Sequence, residues 1–114
     1  MARRGEVLVL RRRIGFGAGE SRERFVVLSS ERFASALETL FVAPLDRALA
    51  SYDGYPGVVR VTGPEAGGSG DHVLVVSATS SVARDRFDAD SVGRLRPATL
   101  AAASRILRLL LDLP

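Results

Sequence analysis

The chain contains no cysteine, no tryptophan, no lysine and a single histidine among its 114 residues. Without cysteine there is no disulfide framework, no thiolate chemistry and no cysteine-bound metal cluster, and one histidine excludes a histidine-rich zinc site. The longest apolar runs are far shorter than the ~20 residues that a membrane span needs. The N-terminus leads into a strand without a signal-peptide core, which predicts a cytoplasmic protein that does not bind membranes.

Hydrophobic residues make up 46% of the sequence, which excludes a disordered chain. The length predicts one domain over residues 1–114. All 16 basic residues are arginine, against 13 acidic ones, and the net charge is +3. A GC-rich genome would also produce arginine without lysine. The consecutive Arg11, Arg12 and Arg13, however, form a local cluster of the kind that binds phosphates, and they indicate a nucleic-acid partner.

A short apolar run at residues 25–28 is the centre of the predicted fold. Four consecutive apolar residues are too few for a helix, and the lack of polar alternation is typical of a strand buried on both faces. Arg22 and Arg24 lead into this strand. A cation fixed at the mouth of a rigid strand can hold a phosphate in a set geometry. We therefore predict Arg24 as a phosphate clamp, with Arg22 as the second candidate; the alternative is an ion pair with Glu20, Glu23 or Glu31.

Apolar runs at residues 7–10, 40–45, 58–62 and 72–77 predict further short strands. Pro44 should end ladder pairing or lie at a sheet edge, because proline has no N–H to donate. The glycine-rich residues 15–20 predict a mobile loop between two strands, either a flap over a binding site or an ordinary hairpin loop. Residues 63–71 also predict a loop.

Two helices are predicted. Ser30 can cap a short helix through its hydroxyl, with Phe33, Leu37 and Leu40 on one face. Pro97 suits the first turn of a C-terminal helix, whose apolar face has helical spacing. That face consists of Leu100, Ala103, Leu107 and Leu110. Five or six short strands in so small a domain favour a mainly β fold, a compact barrel with these two helices.

The order of several short motifs resembles the MazF/PemK toxins, the ribosome-independent mRNA interferases of bacterial toxin–antitoxin pairs. The first of these motifs is Gly5-Glu6-Val7. A glycine-rich loop and an arginine-led apolar strand ending in serine follow it, and then Val42-Ala43-Pro44-Leu45. Further matches are Gly54-Tyr55-Pro56 before the VVRV strand, the apolar HVLVV strand and the tail from Gly93 onward. The resemblance covers nearly the whole chain.

This resemblance implies an SH3-like β-barrel that forms a homodimer and binds single-stranded RNA in a groove between the subunits. It also implies a cognate MazE-like antitoxin whose acidic tail occupies that groove. No metal and no other cofactor is implied. In such toxins the 2′-hydroxyl attacks the adjacent phosphate, and an arginine stabilises the charge that grows on the phosphate oxygens.

Carried over residue by residue, the resemblance implies the catalytic positions. The arginine before the central strand corresponds to Arg24 if Ser30 is the closing serine. If Ser29 is that serine, the position falls on Glu23 and the role passes to Arg22 or Arg24. The family's threonine two places after the proline is Asp46 here. A carboxylate can act as a general base, but it also repels the phosphate; the alternative is that Asp46 caps the following loop.

Other residues are predicted to contact RNA. Tyr52 and Tyr55 can stack on bases, since every base offers a π-face, or can simply pack in their loop. His72, between a loop and an apolar strand, is interpreted as structural. The predicted RNA-binding residues are Arg11, Arg12, Arg13, Arg47, Tyr55, Ser77, which replaces a further family acid, and Thr79.

The predicted function is therefore the toxin of a type II toxin–antitoxin system, a metal-independent, sequence-specific endoribonuclease that arrests growth. One alternative is a non-catalytic toxin like CcdB, which binds gyrase, and the loss of threonine at position 46 would permit it. The tail of CcdB needs a Trp-Gly-Ile end, however, and this chain has no tryptophan. Another alternative is a decayed toxin that only binds its antitoxin.

Overall fold

The computed structural model describes residues 3–11, 23–47, 49–68 and 70–112 of the chain. Strands and helices alternate irregularly in these ranges, and three single 3₁₀ turns connect some of them. The strands are β1 Glu6–Val9, β2 Arg24–Val27, β3 Thr39–Asp46, β4 Val58–Val61, β5 His72–Val75, β6 Ser80–Ala83 and β7 Gly93–Arg94. The helices are α1 Glu31–Ala36, α2 Gly63–Ala66 and α3 Pro97–Leu110, and the 3₁₀ turns are Leu49–Tyr52, Val76–Ala78 and Arg84–Arg86.

Across the described residues the seven strands form one antiparallel sheet. Its order is β4-β5-β3-β2-β1-β7, and β6 pairs with β3 beside β5. The sheet curls into a half-barrel, with short helices and α3 packed on it. The predicted mainly β class with a C-terminal helix is confirmed, as a curled open sheet of more strands than expected.

The central strand β2 is buried on both faces, as predicted. Val26 and Val27 both have no exposed surface and belong to two different core clusters, because successive side chains of a strand point to opposite faces. The α3 cluster consists of Val7, Val26, Leu28, Ala43, Val61, Ala66, Leu74, Val76, Leu95 and Ala103. The Phe87 cluster consists of Leu8, Val27, Ala34, Leu40, Val42 and Phe87.

Pro44 lies inside the ladder, opposite Phe25 of β2, so the prediction that it ends pairing or sits at an edge is wrong. The N–H of Leu28 donates to the carbonyl of Phe41, which makes the odd residues of β3 the hydrogen-bonded ones toward β2. Residue 44 therefore turns its missing N–H to the other side. On that side, residues 39–42 of β3 pair with β6, and Leu45 and Asp46 of β3 pair with β5. The proline thus falls in the gap between two neighbours.

Helix α1 begins as predicted but buries a different residue. The Ser30 hydroxyl accepts a hydrogen bond from the N–H of Phe33 at 3.4 Å, which caps the helix. Phe33 and Leu37 are 61% and 51% exposed, whereas Ala34 is fully buried. The predicted apolar face is wrong, because the helix ends at Ala36 and Leu40 already belongs to β3.

Helix α2 lies where a loop was predicted, and its start is a capping box. Oε1 of Glu65 accepts hydrogen bonds from the N–H and the hydroxyl of Thr62 at 3.2 and 2.9 Å. The spacing Thr-x-x-Glu, with Pro64 inside it, is a known signal for a helix start, and the sequence prediction overlooked it. The prediction of a loop over residues 63–71 is therefore wrong for its first half.

Glu65 also joins α2 to the start of α3. It is only 4% exposed, and its Oε2 accepts the N–H of Arg96 at 2.9 Å. Burial by itself would raise the pKa of Glu65, but hydrogen bonds from Arg96, Thr99 and Thr62 outweigh it and lower the pKa to about 2. This buried carboxylate therefore stays ionised and holds two helix ends together.

Helix α3 begins at Pro97, as predicted, and docks on the sheet. Ala103 is fully buried in the α3 cluster, and Leu100 and Leu107 pack against it. Leu110, expected on the same face, is 50% exposed, so the buried stripe ends before the last turn. None of the helices in the described ranges combines the length and the apolar content that crossing a membrane requires.

Candidate active site

Arg24 is the first residue of β2 and pairs with Val9 of β1 and Leu45 of β3. Neighbouring strands therefore fix its backbone on both sides, as expected of a cation at the mouth of a buried strand. Its guanidinium lies against Gly68, where an added Cβ would be 3.5 Å from Nη2. Nε of Arg24 is buried and has no hydrogen-bond partner among the described residues.

Asp46 is the last residue of β3, and its carboxylate anchors the turn that follows. The hydroxyl of Tyr52 donates a hydrogen bond to Oδ2 of Asp46 at 2.8 Å. This hydrogen bond, with desolvation and the carboxylate charge, raises the pKa of Tyr52. The rings of Tyr52 and Tyr55 meet edge to face at 5.5 Å. Asp46 thus connects the sheet to a tyrosine pair in the turn before β4.

The register of the sheet separates Arg24 from Asp46. Arg24 lies directly opposite Leu45, so these two side chains share a face of the sheet. Leu45 packs against the α3 cluster, which identifies that face. Asp46 is the next residue, and its side chain points to the opposite face. The two residues that the sequence predicts as catalytic partners are thus close along the sheet but turned apart.

A second arginine lies on the face of Arg24. Residue 47 follows Leu45 by two positions, and Nε of the exposed Arg47 donates a hydrogen bond to Nε2 of His72 at 3.4 Å. His72 begins β5 and is 2% exposed. Burial lowers the pKa of His72, the charges of Arg47 and Arg24 lower it further, and the Gly70 carbonyl and Asp71 oppose them. The imidazole is therefore neutral, with two cations near it.

Sequence reasoning missed the contact between Arg47 and His72. The two residues are far apart in the chain. Asp46 and Val73, which adjoin Arg47 and His72 in sequence, pair between β3 and β5 and so bring the two side chains together. The sequence did show His72, a polar residue, at the start of an otherwise apolar strand, but it did not indicate which residue His72 contacts.

The remaining predicted RNA contacts are dispersed over the molecule. Tyr55 and Ser77 are both exposed. Ser77 lies against Gly57: a Cβ added at Gly57 would be 3.2 Å from the Cβ of Ser77. The hydroxyl of Thr79 donates to the carbonyl of Val76 at 2.7 Å, which closes a 3₁₀ turn. Nε of Arg11 donates to the carbonyl of Phe87 at 3.1 Å. The other predicted positions, Arg12, Arg13, Arg22 and the glycine-rich residues 15–20, lie outside the described residues.

In the described part of the chain, no group of three or more histidine or carboxylate side chains is arranged to hold a metal ion.

A family model described as "PemK-like, MazF-like toxin of type II toxin-antitoxin system" matches residues 3–111. The chain belongs to the PemK/MazF toxin family. This confirms the family that the order of sequence motifs indicated. No curated protein sequence matches the chain.

Solved structures share the PemK/MazF fold with the chain at low sequence identity. An endoribonuclease in complex with its cognate antitoxin from a mycobacterial species has a TM-score of 0.75 and 19% identity, over 100% of this chain and 98% of that one. A MazE–MazF complex from Deinococcus radiodurans has a TM-score of 0.77 and 21% identity, over 99% and 97%. The Mycobacterium tuberculosis toxin MazF-mt6 has a TM-score of 0.75 and 16% identity, over 96% and 98%.

Proposed function

We propose that this toxin is a metal-independent endoribonuclease in which Arg24 holds the scissile phosphate. One observation supports the proposal: in a chain of the PemK/MazF family, Arg24, one of the two arginines that precede the central strand, is fixed at the start of β2. Its buried Nε makes no hydrogen bond to the described residues. A guanidinium can offer two parallel N–H groups to two phosphate oxygens, and on Arg24 these would come from the two terminal nitrogens, because Nε is buried.

In the proposed reaction the 2′-hydroxyl of the RNA attacks the adjacent phosphorus and loses its proton, while the bond to the 5′-oxygen breaks and that oxygen takes up a proton. The products carry a cyclic phosphate end and a 5′-hydroxyl end. Charge grows on the non-bridging oxygens in the transition state. Arg24 is already in place to stabilise it, so little reorganisation is needed when the charge develops.

We propose an anchoring role for Asp46 in place of catalysis. Its prediction as the base rests on its position two residues after Pro44. The hydrogen bond from Tyr52 and the opposite face of the sheet both favour an anchor for the turn that carries Tyr55. The proton of the 2′-hydroxyl then passes to water. A substitution that keeps the hydrogen bond but removes the basicity separates the two roles.

We further propose single-stranded RNA, a MazE-like antitoxin and a second copy of the chain as partners. Solved neighbours are described as a MazE–MazF complex and as an endoribonuclease with its cognate antitoxin, which supports an antitoxin partner for this member of the family. Since the substrate is cellular RNA, we propose the cytoplasm as the place of action.

The experiment is to incubate the purified toxin with a long RNA in the presence of EDTA and to map the fragment ends. We expect discrete cuts that leave cyclic phosphates, and we expect Arg24→Ala to reduce cleavage by about 10²- to 10³-fold. Arg105→Ala, which removes an exposed arginine on α3, is the matched control and should cleave like the wild type. Intact RNA over many sequences, with a folded wild-type protein, would refute the proposal and favour a toxin that binds a protein target.

A further inference from the structure

Both ring nitrogens of His72 are engaged, and their partners determine its tautomer. Nδ1 lies 3.1 Å from the carbonyl oxygen of Gly70, which can only accept a hydrogen bond, so Nδ1 carries the proton. Nε2 then has a free lone pair and accepts the N–H from Nε of Arg47 at 3.4 Å. The buried ring is therefore a fixed acceptor that points at a surface arginine.

The contact uses only one of the three guanidinium nitrogens of Arg47. Its two terminal nitrogens make no hydrogen bond or ion pair to the described residues. A long arginine side chain loses conformational freedom when it binds a ligand, and a partner that already holds Nε reduces this loss. A guanidinium fixed along one edge presents its outer edge in a defined direction.

Arg47 and Arg24 both lie near His72, because the charges of both arginines lower the pKa of its imidazole. Arg24 pairs with Leu45, which packs against the α3 cluster. His72, which Arg47 contacts, pairs with Val61 of the same cluster. The guanidinium of Arg24 rests against Gly68, and the carbonyl of Gly70 in the same connection binds His72. One short segment before β5 therefore adjoins the first arginine and, through His72, the second.

We propose that His72 is a positioning residue whose Nε2 holds Arg47 beside Arg24, so that the RNA backbone meets two aligned arginines. This inference rests on the proposed function, because it assigns the second phosphate contact of the same site. It also explains how a carboxylate at position 46 is compatible with RNA: it faces away, and a second cation stands on the face that the phosphate approaches.

Two substitutions divide the functions of the ring. His72→Gln keeps an acceptor at about the distance of Nε2 and can reach Arg47. His72→Asn keeps a donor near the position of Nδ1 for Gly70, but is too short to reach Arg47. We expect His72→Asn to lower kcat/KM for RNA by about 10- to 100-fold, close to the loss in Arg47→Ala, and His72→Gln to restore most of it.

A double substitution tests whether His72 acts through Arg47. Combining His72→Asn with Arg47→Ala should be no worse than Arg47→Ala alone, because both remove the same interaction. Additive losses would overturn the proposal, as would full activity of His72→Asn beside an impaired Arg47→Ala. Unfolding midpoints of all variants identify any loss of activity that comes from misfolding. If His72→Asn is unstable, the activity of His72→Gln tests the proposal, because that variant keeps the acceptor for Arg47.

A readout without activity separates this inference from the proposed function. His72 is the only histidine, so NMR of the imidazole nitrogens is unambiguous in the whole protein. We expect a protonated Nδ1 and an unprotonated Nε2; the opposite tautomer would overturn the inference. Binding of an RNA methylated at its 2′-oxygens, which cannot be cleaved, should weaken about equally in His72→Asn and Arg47→Ala. If the wild type cuts no RNA, the proposed function fails, while these two measurements still decide the role of His72.

Discussion

The hydroxyl of Tyr52 donates a hydrogen bond to the carboxylate of Asp46 at 2.8 Å. This contact joins the end of β3 to the 3₁₀ turn Leu49–Tyr52, and the ring of Tyr52 in turn supports Tyr55. An aspartate at this position thus has a structural partner within its own connection. Its effect on RNA cleavage depends on whether the carboxylate takes a proton or only accepts this hydrogen bond.

Asp46→Asn distinguishes these roles. The amide oxygen still accepts from Tyr52, but an amide cannot take a proton from a 2′-hydroxyl. We expect cleavage within about 3-fold of the wild type, because the anchor is kept, whereas loss of a general base costs about 10²- to 10⁴-fold. Tyr52→Phe is the complementary variant and should lower the urea midpoint of unfolding, because it leaves the carboxylate without this donor. Single-turnover cleavage rates and urea unfolding measure the two effects.

Arg24→Lys should lose most of the cleavage activity although it keeps the charge. Lysine offers a point charge, while arginine offers a planar fork that matches two phosphate oxygens. We expect a fall in kcat of about 10²-fold, with RNA binding reduced much less. Arg105→Lys on the exposed side of α3 serves as the control. Equal rates for Arg24→Lys and the wild type would mean that the geometry of the fork is not used.

Glu65→Gln should destabilise the fold by about 2–4 kcal/mol. The substitution removes a charge that accepts hydrogen bonds from Thr62 and Arg96, and the new amide group would face their donors. Glu38→Gln, at an exposed position, is the matched control and should change the free energy of unfolding by less than about 0.5 kcal/mol. Urea unfolding at neutral pH measures both variants.

The stability that Glu65 contributes should depend on pH. Its pKa is lowered from 4.5 to about 2 in the folded protein, which corresponds to roughly 3 kcal/mol at neutral pH. A lowered carboxyl pKa stabilises the fold fully above the unfolded value, and the contribution is lost as the pH falls from 4.5 toward 2. The difference in unfolding free energy between the wild type and Glu65→Gln should shrink over this window. A difference that stays constant would contradict the assignment.

Gly67→Ala should destabilise the protein far more than Gly54→Ala. Both glycines have positive φ angles, +76° and +73°, so both substitutions carry the cost of a left-handed backbone, about 1–2 kcal/mol. At Gly67 a Cβ would also lie 2.0 Å from the carbonyl oxygen of Val92, while nothing lies within 4 Å of a Cβ at Gly54. We expect an additional loss of about 2 kcal/mol or more at Gly67, measured by thermal unfolding.

Local features were readable from the sequence because neighbouring residues decide them. The apolar run at residues 25–28 predicted β2 to within one residue, and Ser30 and Pro97 predicted where two helices begin. In the same way, the Thr62 to Glu65 spacing would have predicted α2. The order of these short motifs was also sufficient to indicate the family, which needs no knowledge of three-dimensional contacts.

Only the tertiary structure decided how the candidate site is arranged. Antiparallel pairing of β2 with β3 put Arg24 and Asp46 on opposite faces, and a register shifted by one residue would have put them together. Pairing of β3 with β5 brought Arg47 to His72. These contacts join residues that are distant in the chain, and which of them form depends on the whole sheet. The sequence by itself therefore determined the strands, the helix starts and the family, while strand register determined which charged side chains meet.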